Sequence, residues 1–194
     1  MFTGIVECMG IVRKAGALSG SAGILEIEVP ITWKDVKVGS SVAVNGACLT
    51  VVKRSGKRFF FNVIRETRSR TVLSRLHPGQ AVNLERAMKI GARFEGHVVL
   101  GHVDGVGKVL NIKKEKEQIS FLIAYPKSLK TALVEKGSVA INGVSMTLGK
   151  VLKNAFWVHC IPHTFRQTRF GSFKTGDRVN LEGDILAKFS RLSR

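Results

Sequence analysis

The sequence predicts an all-β protein, two small closed barrels in tandem followed by a short helix, and two observations predict it. The first is an internal repeat. Shifted by 97 positions, Val42-Ala43-Val44-Asn45-Gly46-Ala47-Cys48-Leu49-Thr50 falls on Val139-Ala140-Ile141-Asn142-Gly143-Val144-Ser145-Met146-Thr147, and Val82-Asn83-Leu84-Glu85 falls on Val179-Asn180-Leu181-Glu182. Gly4, Val6, Glu7, Gly10 and Val12 meet Gly101, Val103, Asp104, Gly107 and Val109, while Thr67, Thr71 and Gly79 meet Thr164, Thr168 and Gly176. One offset held through separated blocks marks a duplication into domains 1–96 and 97–184, with a terminal element at 185–194. The second observation is patterning. Short apolar or alternating runs lie between glycine-rich turns, and closing such strands into a barrel removes exposed edges.

In the first half the pattern places strands near 4–13, 23–29, 41–45, 47–54, 58–64 and 81–85. Asn45-Gly46 and Ser55-Gly56-Lys57 carry the turn chemistry between neighbouring strands. The second half repeats the set near 101–111, 118–124, 138–142, 144–152, 155–161 and 178–182. Short helices are expected at 66–75 and 164–171, capped by Thr67 and Thr164. The join at 86–96 is of mixed polarity rather than rich in Pro or Ser, so independent tumbling of the halves is not expected. At the end, Ile185, Leu186, Phe189 and Leu192 recur at helical spacing and predict a helix for packing or oligomerisation.

Composition narrows the function. The net charge of +17 raises nucleic acid as a partner. However, residues 1–96 carry 15 Lys/Arg against 7 Asp/Glu and residues 97–194 carry 16 against 7, so the excess is spread evenly. There is no basic arm and no zinc spacing. A solvated basic surface that attracts anions or acidic partners fits better. Three cysteines without framework spacing (Cys8, Cys48 and Cys160) suggest reduced thiols in a cytoplasmic setting. No apolar run approaches the roughly 20 residues that span a bilayer.

Polar residues amid glycine and apolar runs mark the candidate site: Ser41 with Cys48 and Thr50, the twin pair Ser145 and Thr147, the run containing His97 and Gly101-His102-Val103-Asp104, and residues 62–67 with their twin 159–164. His97 and His102 are five apart with no third ligand nearby, so no metal site is expected. His102 reads either as a structural histidine or as a pocket residue, Cys48 as a buried thiol, and Thr50 and Thr147 as strand residues or ligand hydroxyls. The twins differ where chemistry would sit: Cys48 meets Ser145, Ile5 meets His102 and Glu66 meets His163. Two pockets so related suit one molecule bound twice and treated differently.

These residues resemble the riboflavin synthase family. The similarity runs through Met1-Phe2-Thr3-Gly4-Ile5-Val6-Glu7, Val44-Asn45-Gly46-Ala47-Cys48-Leu49-Thr50-Val51, Gly96-His97, Gly101-His102-Val103-Asp104, Ile161-Pro162-His163-Thr164 and Asn180-Leu181-Glu182 with Asp184-Ile185-Leu186. It covers essentially the whole chain. The resemblance implies two six-stranded Greek-key barrels and a cytoplasmic homotrimer assembled through the C-terminal helix. It implies dismutation of two molecules of 6,7-dimethyl-8-ribityllumazine, with transfer of four carbons to give riboflavin and 5-amino-6-ribitylamino-uracil, and no cofactor. It implies catalytic roles for Phe2, Ser41, Cys48, His102, Ser145 and Asp184. The N-terminal pocket would be lined by Gly4, Ile5, Val6, Cys48, Leu49, Thr50, Asn62, Val63, Ile64, Arg65, Glu66, Thr67, Gly101, His102 and Val103. The C-terminal one would be lined by Lys136, Ser145, Met146, Thr147, His159, Cys160, Ile161, Pro162, His163 and Thr164. Arg68 stands where an apolar residue is common, and the tail is shorter than in many members. The charge fits thermal adaptation or an acidic partner such as lumazine synthase.

Three other readings compete. A non-catalytic lumazine or flavin antenna protein would lose the polar groups of one half, yet Cys48/Thr50 and Ser145/Thr147 are both present. A nucleic-acid module would show steep salt dependence. A flavin oxidoreductase would need a nicotinamide-binding Gly-x-Gly-x-x-Gly after a strand, and none is found.

Overall fold

The structure, a computed structural model, describes residues 1–17, 22–30 and 33–190. The first barrel is built from β1 (Cys8–Ala17), β2 (Ala22–Glu28), β3 (Ser41–Val44), β4 (Ala47–Ser55), β5 (Arg58–Ile64) and β6 (Ala81–Arg86). Its strands close in the order β1-β2-β5-β4-β3-β6, all antiparallel, which is a Greek-key path. The second barrel repeats that order with β7 (Gly105–Lys114), β8 (Ile119–Ala124), β9 (Ser138–Ile141), β10 (Val144–Val151), β11 (Ala155–Cys160) and β12 (Arg178–Gly183). The all-β duplicated fold is therefore as the repeat predicts.

The hairpin turns follow from their residues. Asn45 and Gly46 both take positive φ (45° and 78°), and their twins Asn142 and Gly143 take 46° and 77°. Two consecutive left-handed residues form the turn whose twist matches paired strands, and Asn-Gly is the pair that tolerates it best. Period-2 alternation then fills the interiors: Leu25, Ile27, Phe59, Phe61 and Leu84 in the first barrel, and Phe121, Ile123, Phe156, Val158 and Leu181 in the second.

Two local expectations are corrected. The first strand of each half starts later than the pattern suggests, at Cys8 and Gly105; ahead of it, the Gly4 and Gly101 carbonyls bond across to Ser145 and Cys48 of the other half. The predicted helix at 66–75 is two pieces, α1 (Arg65–Arg70) and a single 3₁₀ turn over Val72–Arg75, and its twin is α2 (Pro162–Gln167) plus a turn over Arg169–Ser172. Thr67 and Thr164 lie inside these helices and cap nothing. The caps are Thr71 and Thr168, whose hydroxyls accept from the N–H groups of Leu73 and Phe170 and donate to the carbonyls of Thr67 and Thr164. α2 starts instead on Pro162, which lacks the N–H that a first turn leaves unpaired.

The two barrels are joined by buried asparagines. Asn83 accepts Asn45 N–H, donates its Nδ2 to the Asn142 carbonyl (2.9 Å) and accepts Arg169 N–H with Oδ1 (2.8 Å). Asn180 does the same in mirror fashion, donating Nδ2 to the Asn45 carbonyl (2.8 Å) and accepting Val72 N–H (2.8 Å). Gly46 and Gly143 meet backbone to backbone here, so that a Cβ on Gly46 would lie 2.6 Å from Gly143 N. After β12, Asp184 accepts Leu186 N–H and caps α3 (Ile185–Phe189); Leu192 of the predicted stripe lies outside the described residues. No helix among the described residues is long and apolar enough to cross a membrane.

Candidate functional site

The segments ahead of β1 and β7 build the site by crossing over. Phe2 and Val99, twins under the repeat, pair with each other through both N–H groups (2.7 and 3.1 Å). Their side chains are buried with Ala43 and Ala140, one from each barrel. Beyond this pair each segment is gripped twice. Buried Glu85 accepts the N–H groups of Thr3 (2.6 Å) and Gly4 (3.1 Å), and buried Glu182 accepts those of Leu100 (2.7 Å) and Gly101 (3.0 Å). The Gly4 carbonyl then accepts Ser145 N–H (2.8 Å), and the Gly101 carbonyl accepts Cys48 N–H (2.9 Å).

This crossover exchanges the expected linings. Gly4, Ile5 and Val6 were expected at the N-terminal pocket, but Gly4 lies against Ser145 and Val6 packs on the second core. Gly101 lies against Cys48, and Val103 packs on the first core. Only glycine fits at either contact. Gly4 has φ +79° and its Cβ would lie 2.7 Å from Ser145 Cβ; Gly101 has φ +80° and its Cβ would lie 2.5 Å from Cys48 Cβ.

At Cys48 the result is a cavity of about 670 Å³. Cys48, Ile64, Glu66, Thr67, Gly101, His102 and Val103 of the expected residues line it, joined by Arg70, Thr71, Asp104 and Ser128. Ser41 and Thr50 form one rung of the β3–β4 ladder and Ala43 and Cys48 the next but one, so all four share the barrel's outer face. Ser41 and Thr50, like Arg65 and exposed Asn62, stay outside the cavity wall itself. Leu49 and Val63 alternate inward and belong to the first core, so their side chains do not share the outer face with Cys48.

At Ser145 the hydroxyl lies 2.7 Å from Nδ1 of His97. His97 is 6% exposed, its Nε2 has no hydrogen-bond partner among the described residues, and its N–H is held by the Thr3 carbonyl. Burial pulls the His97 pKa below its usual value, partly opposed by the carboxylate of Asp184, so the imidazole facing Ser145 is neutral near pH 7. Thr147 and His159 alternate onto the same outer face, and His159 pairs through Nδ1 with Ser120 Oγ (2.9 Å). Ile161 and His163 are exposed beside them, with Pro162 and Thr164 half-buried in α2. Met146 and Cys160 point into the second core, where burial pushes the Cys160 thiol up to about 12. Lys136 takes φ +64° in the turn before β9, where its twin is Gly39 at +91°. Phe2 brings no polar group and anchors the crossover. Asp184 caps α3 and reaches His97 through its field.

Sequence reasoning missed the contact between His97 and Ser145, because the two lie 48 positions apart and share no local motif. It also missed Glu85 and Glu182 as the grips. Their signal was present: a buried-strand pattern carrying Asn and Glu at matching places in both halves. Burial pushes Glu182 up to about 7 against the pull of its N–H donors and Lys188, and raises Glu85 as well.

A family model for the lumazine binding domain matches residues 3–87 and again 100–184. The riboflavin synthase of Photobacterium phosphoreum is 41% identical over 192 residues, covering 97% of this chain and 87% of that protein. That of Mycobacterium tuberculosis (strain H37Rv) is 43% identical over 199 residues, covering 100% and 98%. The crystal structure of LumP complexed with riboflavin superposes with a TM-score of 0.85 at 29% identity, covering 94% of this chain and 99% of that one. Two barrels that match the lumazine binding domain, joined by twin crossovers and matched nearly end to end by these enzymes, place the chain in the riboflavin synthase family of transferases.

Proposed function

We propose that the chain converts two molecules of 6,7-dimethyl-8-ribityllumazine to riboflavin and 5-amino-6-ribitylamino-uracil by transfer of a four-carbon unit. One observation carries the reading. The cavity at Cys48 and its twin face at Ser145 share a main-chain frame, Gly101 on Cys48 and Gly4 on Ser145, but differ in the groups that would handle protons. Cys48 with exposed His102 serves one, and Ser145 with neutral His97 serves the other. The lumazine-bound form of LumP, at 29% identity, supports a pteridine in such a pocket.

The 7-methyl group of the lumazine is acidic because its anion delocalises into the ring, so a modest base suffices. His102 takes that proton at the Cys48 pocket. His97 accepts the Ser145 proton at the other, making the hydroxyl a better nucleophile or water-holder. Thr50 and Thr147 meet the ribityl chains. Holding two rings face to face supplies much of the acceleration through positioning. A chain carries the two pockets separately, so the reading includes a cytoplasmic homotrimer that apposes one pocket with the other from a neighbour. The exposed Leu186 and Phe189 of α3 support that contact.

The likeness to LumP favours one second reading, a lumazine-binding protein without turnover. Incubation with 6,7-dimethyl-8-ribityllumazine alone separates the two. Equal amounts of riboflavin and pyrimidine without added cofactor are expected. Ligand recovered unchanged from a tight complex would overturn the enzyme reading in favour of the binder.

A further inference from the structure

A second cavity, of about 270 Å³, opens on the seam between the barrels, away from Cys48, His102 and Ser145. Three arginines line it: Arg75, Arg169 and Arg178. Among the described residues none of the three has a carboxylate within ion-pair distance. The one acid in the wall, Asp177, spends a carboxylate oxygen on Lys174 N–H (2.9 Å). Asn45 and Asn142 lie in the same wall and are 3% exposed. Their side-chain oxygens accept from the N–H groups of Asn83 and Asn180, while among the described residues neither Nδ2 donates to a protein group. The wall thus collects forked cationic donors and spare amide donors with one acid to offset them.

The repeat shows that the scaffold does not require these arginines. Under the offset of 97, Arg75 meets Ser172, Arg169 meets Val72 and Arg178 meets Ala81. The frame residues around them are repeated, Asn45 with Asn142 and Leu76 with Phe173, yet each cation stands on one side only. A half-buried guanidinium without a close carboxylate is costly unless something offsets it. Arg169 has the field of Asp177 alone, with no ion pair among the described residues, and burial lowers its pKa; it rests over the Phe173 ring with its centre 6.0 Å away. Arginine forks match the tetrahedral oxygens of phosphate better than they match a spherical anion such as chloride.

We propose that this seam binds a phosphate dianion, free or as the phosphate group of a small monoester. The site takes its donors from both barrels, so its occupation ties their docking together.

The test is titration calorimetry on the full chain with inorganic phosphate and with glycerol 2-phosphate, at ionic strength matched with sodium chloride. Saturable binding to the wild type is expected, with affinity lowered about tenfold or more in Arg169→Gln, as expected on losing one charge-assisted contact. Arg178→Gln, at an exposed position, tests the same site without disturbing the core. Riboflavin formation is expected to be unchanged in both variants. Stronger binding of inorganic phosphate identifies the free anion, and stronger binding of the ester identifies a monoester; either supports the site. No heat above the chloride control, or equal affinity in the wild type and both variants, would overturn the proposal and assign the attraction to the general positive charge.

Discussion

Replacing Asn83 by Asp tests whether the buried asparagines hold the barrels together. The change is isosteric. Asn83 is 1% exposed, donates Nδ2 to the Asn142 carbonyl at 2.9 Å and accepts Arg169 N–H at 2.8 Å. Ionised aspartate would set an oxygen against the Asn142 carbonyl and bury a charge without a cation, a cost of about 3–5 kcal/mol. Protonated aspartic acid restores the donor and both bonds, so its cost is within about 1 kcal/mol. The folded-state carboxyl is therefore raised by about 2–3 pH units over an unfolded value near 4. The stability of the variant is intact below that unfolded value and is lost as pH rises through the folded one, at up to about 1.4 kcal/mol per unit. At roughly 2–4 °C per kcal/mol for a chain of this size, the gap in Tm from wild type is about 6–20 °C at pH 8 and a few degrees near pH 4.5. Differential scanning calorimetry of wild type, Asn83→Asp and Asn83→Ala at both pH values measures it. The alanine variant should lose about 2–6 kcal/mol at either pH, from the two buried partners left unpaired. A gap for Asn83→Asp that is absent, or equal at both pH values, would refute the reasoning.

The remaining predictions concern the pockets. Gly101→Ala forces a Cβ within 2.5 Å of Cys48 Cβ at φ +80°, so riboflavin formation should fall by at least about tenfold while the far-UV circular dichroism is retained. Normal activity would mean the crossover is not part of the site. His102→Ala and Ser145→Ala should each cut turnover by about 10²-fold or more with a much smaller change in lumazine affinity by fluorescence titration; equal losses in both quantities would argue for simple binding roles. Glu182, raised to about 7 by burial, binds a proton more tightly folded than unfolded, so its contribution is present below its usual carboxylate range and lost as pH climbs towards and past 7. Wild-type Tm should decline over that window, and in Glu182→Gln that part of the decline should vanish; an unchanged pH profile would show that the carboxylate is ionised throughout.

The sequence is legible where a rule is local or repeated. Asn45-Gly46 and Asn142-Gly143 announce their turns because only two successive positive-φ residues close that hairpin. The fixed offset announces two barrels before any strand is placed. What the sequence hides depends on contacts far apart in the chain. Nothing local distinguishes Thr67 from Thr71 as a cap; the choice follows from Thr71 dropping to an extended φ of −128° while its hydroxyl spans two backbone groups. Strand alternation predicts that Leu49 and Met146 face the core, but the family resemblance names them by position in the ligand site, where they offer main chain alone. The crossover is the largest concealed feature. Gly4 and Gly101 read as strand starts within their own halves, and only the paired contacts to Ser145 and Cys48 show that each serves the opposite barrel.

That exchange explains how duplicated pockets come to differ without losing their shape. Each crossover's frame is made from main-chain bonds and one buried carboxylate. Gly4 and Gly101 donate and accept through the backbone, and Glu85 and Glu182 hold the N–H groups before them. None of these bonds involves a side chain that faces a ligand. The facing positions were therefore free to change after duplication: Cys48 against Ser145, His102 against Ile5, Glu66 against His163. His97 completes the asymmetry. It lies between Gly96 and the Val99 pairing, in the stretch that joins the halves. Ser145 thus gains a buried imidazole beside its hydroxyl while the cavity at Cys48 receives an exposed one. The proposed dismutation of two identical molecules needs such a difference, since one must lose what the other gains. A repeat alone presents both with the same environment; the connection between repeats is what breaks the tie.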